Sequence, residues 1–203
     1  HARCLLGPDY ALLRPAFAAA HACARPRRWP PQRLLLFFGG ADADNLSGRV
    51  LELLTRLHPE LAIDALIGPS NPHRPALEAR WQGHPGIRLL PPQDEPCPLL
   101  LEADLALGAT GATTWERAAT GLPAIVLALA DNQLPIARAA ADAGLHTFLG
   151  DARRLSDGEL AERLGAALAD HARLAAQSAA GLALVDGRGA ERVADLLLAG
   201  LHP

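Results

Sequence analysis

The sequence predicts an α/β fold in which a parallel sheet carries helices on both faces. Short apolar runs alternate along the chain with amphipathic or alanine-rich helical stretches. The apolar runs are continuous rather than alternating, as in Arg33–Phe38 (RLLLFF), the pattern of strands buried on both sides. Glycines or small polar residues follow three of these runs, at Gly39-Gly40, Gly108–Thr114 and Asp131–Gln133, where loops leave the sheet.

The elements follow in order. A leading helix over about Tyr10–Ala22 is separated from the first strand by the basic, proline-rich stretch Arg25–Pro31 (RPRRWPP). After the strand Arg33–Phe38, Asn45 caps a helix through Leu57 that gathers Val50, Leu53, Leu54 and Leu57 on one face. Leu61–Ile67 is the second strand, Pro75–Gln82 a short helix and Ile87–Leu90 the third strand. A proline-rich acidic bend, Pro91–Pro98, leads to a brief helix at Leu99–Glu102 and a fourth strand at Asp104–Leu107. The helix Thr114–Thr120 stops at Gly121, with Pro123 beyond it, and Ala124–Leu129 is the fifth strand. Asn132 or Asp131 caps a helix over Leu134–Ala143, and Thr147–Leu149 is a sixth, short strand. Ser156 and Glu159 form a capping box that opens a helix near Asp157. Alanine-rich helix continues toward Gly181, and Gly189–Leu201 is the last amphipathic helix.

Composition excludes several classes. The 203 residues are 50% apolar, the formal net charge is −3, and all 19 basic residues are arginine. With no basic block and few aromatics, nucleic-acid binding is not expected. The lack of lysine removes a Walker-type phosphate lysine, a Schiff base and a lysine general base. Apolar runs such as Ala124–Ala130 are too short for membrane insertion, and no cationic apolar leader opens the chain. The 3 cysteines, Cys4, Cys23 and Cys97, lie far apart and outside any C-x-x-C pair, which predicts buried or half-buried thiols rather than disulfides or a zinc ribbon and, by default, a cytoplasmic location. The sequence holds no methionine and opens at His1, which reads as a processed fragment. The histidines do not pair at metal-ligand spacing, so neither a metal nor another cofactor is expected.

The chemistry concentrates between Ala103 and Gln133. In open parallel sheets ligands sit at the carboxyl ends of the strands, where the Gly39-Gly40 loop, the Gly108–Thr114 turn and Asp131-Asn132-Gln133 converge. Gly111, Ala112, Thr113 and Thr114 join a turn of little side-chain bulk to a helix N-terminus, a geometry that holds phosphate or pyrophosphate. Thr113 and Thr114 serve either as caps or as an extension of that cradle. Glu116, in the first helical turn, is either a carboxylate favoured there by the helix dipole or the acceptor for sugar hydroxyls beside the phosphate. Asn132 and Gln133 offer amides to a phosphate or sugar, although Asn132 also suits an N-cap. The turn is not G-x-G-x-x-G and no acidic residue ends the next strand, which argues against a dinucleotide.

The segment GATGATTWERAATGLPAIVLALADNQ resembles the nucleotide-binding segment of the UDP-2,4-diacetamido-2,4,6-trideoxy-beta-L-altropyranose hydrolases of pseudaminic acid biosynthesis. GPDYALLRPAF (Gly7–Phe17), LLLFFGGADADN (Leu34–Asn45) and VDGRGAERV (Val185–Val193) extend the resemblance over nearly the whole chain. The chain is similar, more distantly, to the UDP-N-acetylglucosamine transferase of peptidoglycan synthesis. Similar domains also occur in spore-coat and capsule polysaccharide proteins.

The resemblance implies the C-terminal, Rossmann-like half of a two-domain GT-B fold. Residues 1–30 would be the interdomain linker and leading helix, and residues 31–203 the UDP-binding domain. It places the pyrophosphate at Gly111–Thr113, the ribose at Glu116 and the phosphate or sugar side at Asn132 and Gln133, with Tyr10 and Arg14 as candidate cleft contacts. The implied reaction is metal-independent attack of water on the anomeric carbon of a UDP-sugar, with UDP as leaving group. Its general base belongs to the N-terminal domain, so no residue here is assigned as catalytic. Thr110 and Ala112 stand where the family has glycines. The rival readings are the donor-binding half of a glycosyltransferase and a non-catalytic module.

Overall fold

The computed structural model describes residues 4–199. Its centre is a 6-stranded, all-parallel sheet of β1 (Arg33–Phe37), β2 (Ala62–Leu66), β3 (Ile87–Leu90), β4 (Leu105–Ala109), β5 (Ala124–Ala128) and β6 (Thr147–Asp151). The strand order is β3-β2-β1-β4-β5-β6. Two strands, β2 and β3, are laid outward from β1 before the chain crosses back to place β4 on its other side, so the order reverses between β1 and β4. That reversal opens a crevice at the carboxyl ends of the two central strands.

Successive strand residues point to opposite faces, and each face has its own core. Leu34, Leu36, Ile63, Leu105, Leu107, Ile125 and Leu127 pack with α2 (Leu46–Leu57), α3 (Arg74–Trp81) and α7 (Asp157–Ala169). Leu35, Leu66, Ala106, Ala124 and Val126 pack with α1 (Ala16–Ala22), α4 (Cys97–Glu102), α5 (Thr113–Ala119) and α6 (Leu134–Asp142). α8 (His171–Leu184) braces the amino ends of the last strands, where Gln177 accepts from the Ala124 amide at 3.2 Å and donates to Thr147 Oγ1 at 2.7 Å.

α9 (Gly189–Ala199) packs on a 3-10 turn at Pro8–Tyr10. The approach is close enough that a Cβ on Gly189 would lie 2.3 Å from the Ala11 carbonyl oxygen. Arg192 donates to the Asp9 carbonyl at 3.1 Å.

Several local expectations are corrected. The leading helix begins at Ala16 rather than Tyr10, because Pro15 fits the entry to a helix and not its interior. Asn45 does not cap α2: it sits in the left-handed region at φ 54°, and Asp42 accepts from the Leu46 and Ser47 amides at 2.8 and 2.9 Å instead. Neither Asp131 nor Asn132 caps α6; with Gln133 they form a 3-10 turn. The stretch toward Gly181 is two helices, α7 and α8, broken at Asp170, whose carboxylate accepts from the Arg173 amide at 3.0 Å. β4 reaches Ala109 rather than ending at Leu107, since Gly108 pairs with both Phe37 and Val126. The capping box is present, with the Ser156 amide 2.9 Å from Glu159 Oε2 and the Glu159 amide 3.3 Å from Ser156 Oγ. The last helix runs as expected to Ala199, and residues 200–201 of that reading lie outside the described residues.

Arg27 and His146 carry a disproportionate share of the buried polar chemistry. The Arg27 guanidinium, 9% exposed, donates to the carbonyls of Leu100, Leu101, Ala103, Thr120 and Gly121, and burial lowers its pKa to about 10 against the raising effect of Asp104. Replacing it with alanine leaves these carbonyls without their donor at two helix ends. We expect Arg27→Ala to lose about 3 kcal/mol in urea unfolding. A loss below about 1 kcal/mol would remove this role.

His146 is 1% exposed, with Nε2 2.8 Å from the Ala137 carbonyl and Nδ1 without a partner among the described residues. Burial, reinforced by Arg117 and opposed by the Ala137 bond, lowers its pKa to about 4. The unfolded chain therefore binds the proton first, and stability held above pH ~6.5 is lost as pH falls toward 4. The expected loss is about 3 kcal/mol across that window, and urea unfolding of His146→Gln should lack most of this slope. Parallel pH profiles in the two proteins would refute it.

Candidate functional site

A cavity of about 220 Å³ opens at the crevice between β1 and β4. Leu35 and Phe37 of β1, Leu66 of β2 and Ala106 and Leu107 of β4 make an apolar floor. Leu99 and Leu100 of α4 form one side, and Pro92, Gln93 and Pro96 of the loop before α4 form a rim. The opposite wall is α5, which contributes Thr113, Glu116 and Arg117, and Arg14 reaches the cavity from the segment before α1. Thr113, Glu116 and Arg117 share one face because residues three and four apart on a helix stack above one another.

The polar side chains are few: Arg14, Gln93, Thr113, Glu116 and Arg117. Glu116 is half-buried, and burial raises its carboxyl pKa against the lowering effects of Arg14 and Arg117. The carboxylate is thus partly dehydrated and faces an apolar hollow, an arrangement suited to accepting hydrogen bonds from ligand hydroxyls. Arg14 is exposed and lies 3.5 Å from Glu95 across the rim. Arg117 is buried, and burial lowers its pKa to about 10 against the raising effect of Glu116.

The turn Thr110–Ala112 leads into α5. The Thr114 and Trp115 amides donate back to the Gly111 and Ala112 carbonyls at 3.0 and 3.1 Å. The amides of Gly111, Ala112 and Thr113 take no partner among the described residues. Gly111 and Ala112 are exposed, so the Ala112 methyl does not close the turn, whereas Thr110 is buried with its hydroxyl unpartnered among the described residues.

Of the residues singled out in the sequence, the cavity brings together Arg14, Thr113 and Glu116. Gly111 and Ala112 immediately precede α5 and are not among the lining residues. Thr114 is buried beneath the turn, with Oγ1 accepting from Arg117 at 3.3 Å. Gly39 and Gly40 follow β1 but sit outside the cavity, where the Gly40 backbone packs against Gly68. The N-terminal amides of α2 beyond them are occupied by Asp42. Asn132 is exposed after β5, and the Gln133 side chain accepts from the Leu129 amide at 2.8 Å. Tyr10 lies in the 3-10 turn against α9, outside the cavity.

Arg117 and the Pro92–Pro96 rim were not anticipated. An arginine within the otherwise small and apolar buried face of α5 was the available signal for the first. For the rim the signal was topological, because a connection from edge strand β3 to central β4 must pass over the carboxyl ends of β2 and β1. Among the described residues no group of three or more His, Cys, Asp or Glu gathers to hold a metal. No helix among them is long and apolar enough to cross a membrane.

No protein-family model matches the chain. It is 27% identical over 194 residues to the spore coat polysaccharide biosynthesis protein SpsG of Bacillus subtilis (strain 168), covering 94% of this chain and 57% of that protein. It is 28% identical over 126 residues to an uncharacterized protein of Methanocaldococcus jannaschii, covering 60% of this chain and 26% of the other. The chain thus spans little more than half the length of the longer-matching relative. Among solved structures, MurG of Acinetobacter baumannii superposes with a TM-score of 0.70 at 21% identity, over 97% of this chain and 56% of that one. The S. aureus MnaA–UDP complex superposes with a TM-score of 0.66 at 15% identity, over 93% and 49% respectively. These likenesses, with the parallel sheet and its strand order, identify a Rossmann-like α/β fold shared with GT-B glycosyltransferase-type enzymes.

Proposed function

We propose that this chain is the UDP-binding half of a nucleotide-sugar enzyme, residues 1–30 forming the linker and leading helix and residues 31–203 the binding domain. The observation that carries the reading is the Glu116 carboxylate, dehydrated and facing an apolar cavity at the strand-order reversal, one helical turn from the free amides of Gly111–Thr113. A flat base fits against the Leu35, Leu66 and Leu100 surfaces under the Pro92–Pro96 rim, and the ribose hydroxyls donate to Glu116. The diphosphate then reaches the turn amides, which stabilise its charge as UDP departs. UDP in a structural neighbour and the polysaccharide role of SpsG support a sugar-nucleotide ligand.

For the whole protein we propose hydrolysis of a UDP-diacetamido-trideoxy sugar by water attack at the anomeric carbon. The general base would be supplied by an N-terminal domain, and no residue here is assigned a proton-transfer role. Cys97 is buried as expected, whereas Cys4 and Cys23 are exposed; all three are free thiols among the described residues, which suits a cytoplasmic setting. The fold likeness to MurG and to the lipopolysaccharide glycosyltransferase WaaG favours a second reading, a glycosyltransferase in which an acceptor hydroxyl replaces water. A protein carrying both domains, incubated with UDP-sugar and no acceptor, separates the two: stoichiometric free sugar supports the hydrolase, and its absence supports the transferase.

The binding reading is tested on the chain itself by calorimetric titration with UDP, CDP and dTDP. UDP should bind most tightly, and dTDP, which lacks one ribose hydroxyl, about tenfold more weakly. Glu116→Ala should lose at least about tenfold for UDP and abolish the UDP-over-dTDP preference, with circular dichroism unchanged. Equal UDP affinity in parent and variant removes the ribose assignment, and failure of the parent to bind UDP removes the reading.

A further inference from the structure

The Arg117 side chain, 6% exposed, lines the α5 wall of the cavity. Its contacts are sparse and long: Ala109 carbonyl oxygen at 3.4 and 3.5 Å and Thr114 Oγ1 at 3.3 Å. A guanidinium has five N–H groups, and these two oxygens are its acceptors among the described residues. No carboxylate there lies within 4.0 Å of it, although Glu116 is adjacent in sequence.

Arg27 shows what a satisfied buried guanidinium looks like in the same fold. It donates to five carbonyls, including bonds of 2.6, 3.0 and 3.1 Å. A buried cation without a counter-ion or a full set of acceptors is costly, and proteins retain one where a ligand completes it. The surroundings point the same way. Thr110, directly after the Ala109 carbonyl that Arg117 touches, is buried with its hydroxyl unpartnered among the described residues. Gly108 lets the strands approach closely beside the guanidinium: a Cβ there would lie 2.4 Å from the Phe37 carbonyl oxygen and 3.5 Å from Arg117 Nη1.

We propose that Arg117 is an anion-recognition residue, its guanidinium completing its hydrogen bonds on a phosphate oxygen of the ligand that enters this cavity. The proposal rests on the nucleotide reading for the identity of that ligand, and on the cavity and the incomplete guanidinium for the anion. Glu116 and Arg117 then divide the work. The carboxylate selects hydroxyls and rejects a misplaced anion, while the guanidinium draws the charged group inward beneath α5. Arginine suits this task because its planar fork meets two oxygens at once and stays charged when buried.

Arg117→Met removes the charge at similar volume, and Arg117→Gln keeps one donor for the Ala109 carbonyl. Circular dichroism establishes which is folded, and Arg117→Gln carries the test where Arg117→Met does not fold. The parent and the folded variant are titrated with uridine, UMP, UDP and inorganic pyrophosphate, with thermal shifts as a second readout. UMP, UDP and pyrophosphate should bind the variant about 10- to 100-fold more weakly, and uridine within about twofold of the parent. Equal UDP affinity in parent and variant overturns the proposal and leaves the nucleotide reading intact. Pyrophosphate protecting the parent but not the variant, with uridine and UDP binding neither, supports the anion role and overturns the nucleotide reading. Anion protection that is absent, or equal in parent and variant, overturns the proposal.

Discussion

The cavity depends on a bond made at the far side of the sheet. Arg27, in the stretch before β1, holds carbonyls at the C-terminal ends of both α4 and α5. Those two helices are the walls whose other ends carry Leu99, Thr113 and Glu116. A guanidinium at two helix C-termini neutralises two negative dipole ends at once and fixes the spacing between them. Asp104 adds to this junction, its carboxylate accepting from the Gln32 and Arg33 amides at 3.0 Å each. The stretch RPRRWPP, which reads in sequence as a basic linker, is therefore part of the framework that sets the width of the site.

Most of the fold was legible in the sequence because the parallel sheet leaves a strong trace. Runs such as Leu34–Leu36 and Ile125–Leu127 are buried on both faces and cannot be mistaken for amphipathic elements. The Ser156–Glu159 box and Gly121 after α5 were equally plain, since each satisfies a specific backbone geometry within a few residues. What failed was local competition. Asn45 and Asp42 both suit a helix start, and the choice of Asp42 turned on a loop whose left-handed residues no propensity scale specifies. Asp170 broke an alanine-rich run that composition alone would continue.

The site was legible in part, for a related reason. Thr113 and Glu116 announce themselves through their place at a helix start, and Arg14 entered only through the resemblance of the segment Gly7–Phe17 to a linker that faces a cleft. Arg117 was hidden because its role depends on what it does not touch, and that emerges only when the neighbours are counted in space. Gly39 and Gly40 carry the opposite lesson. The first strand-to-helix turn of such sheets is a familiar phosphate position, yet here Asp42 places its own carboxylate on the helix amides. An anion would have to displace a side chain already bonded at 2.8 and 2.9 Å.

The seat of α9 on the Pro8–Tyr10 turn has a mechanical consequence. Arg192 and Asp9 stand 183 positions apart in sequence, yet their contact and the tight fit of Gly189 against Ala11 bind the first and last described segments into one piece. Arg14 extends from that piece into the cavity mouth. The position of Arg14 at the mouth is thus fixed through a backbone-to-backbone contact with α9 as well as through its own segment, so the cavity's edge draws on the first and last described elements and not on the sheet alone.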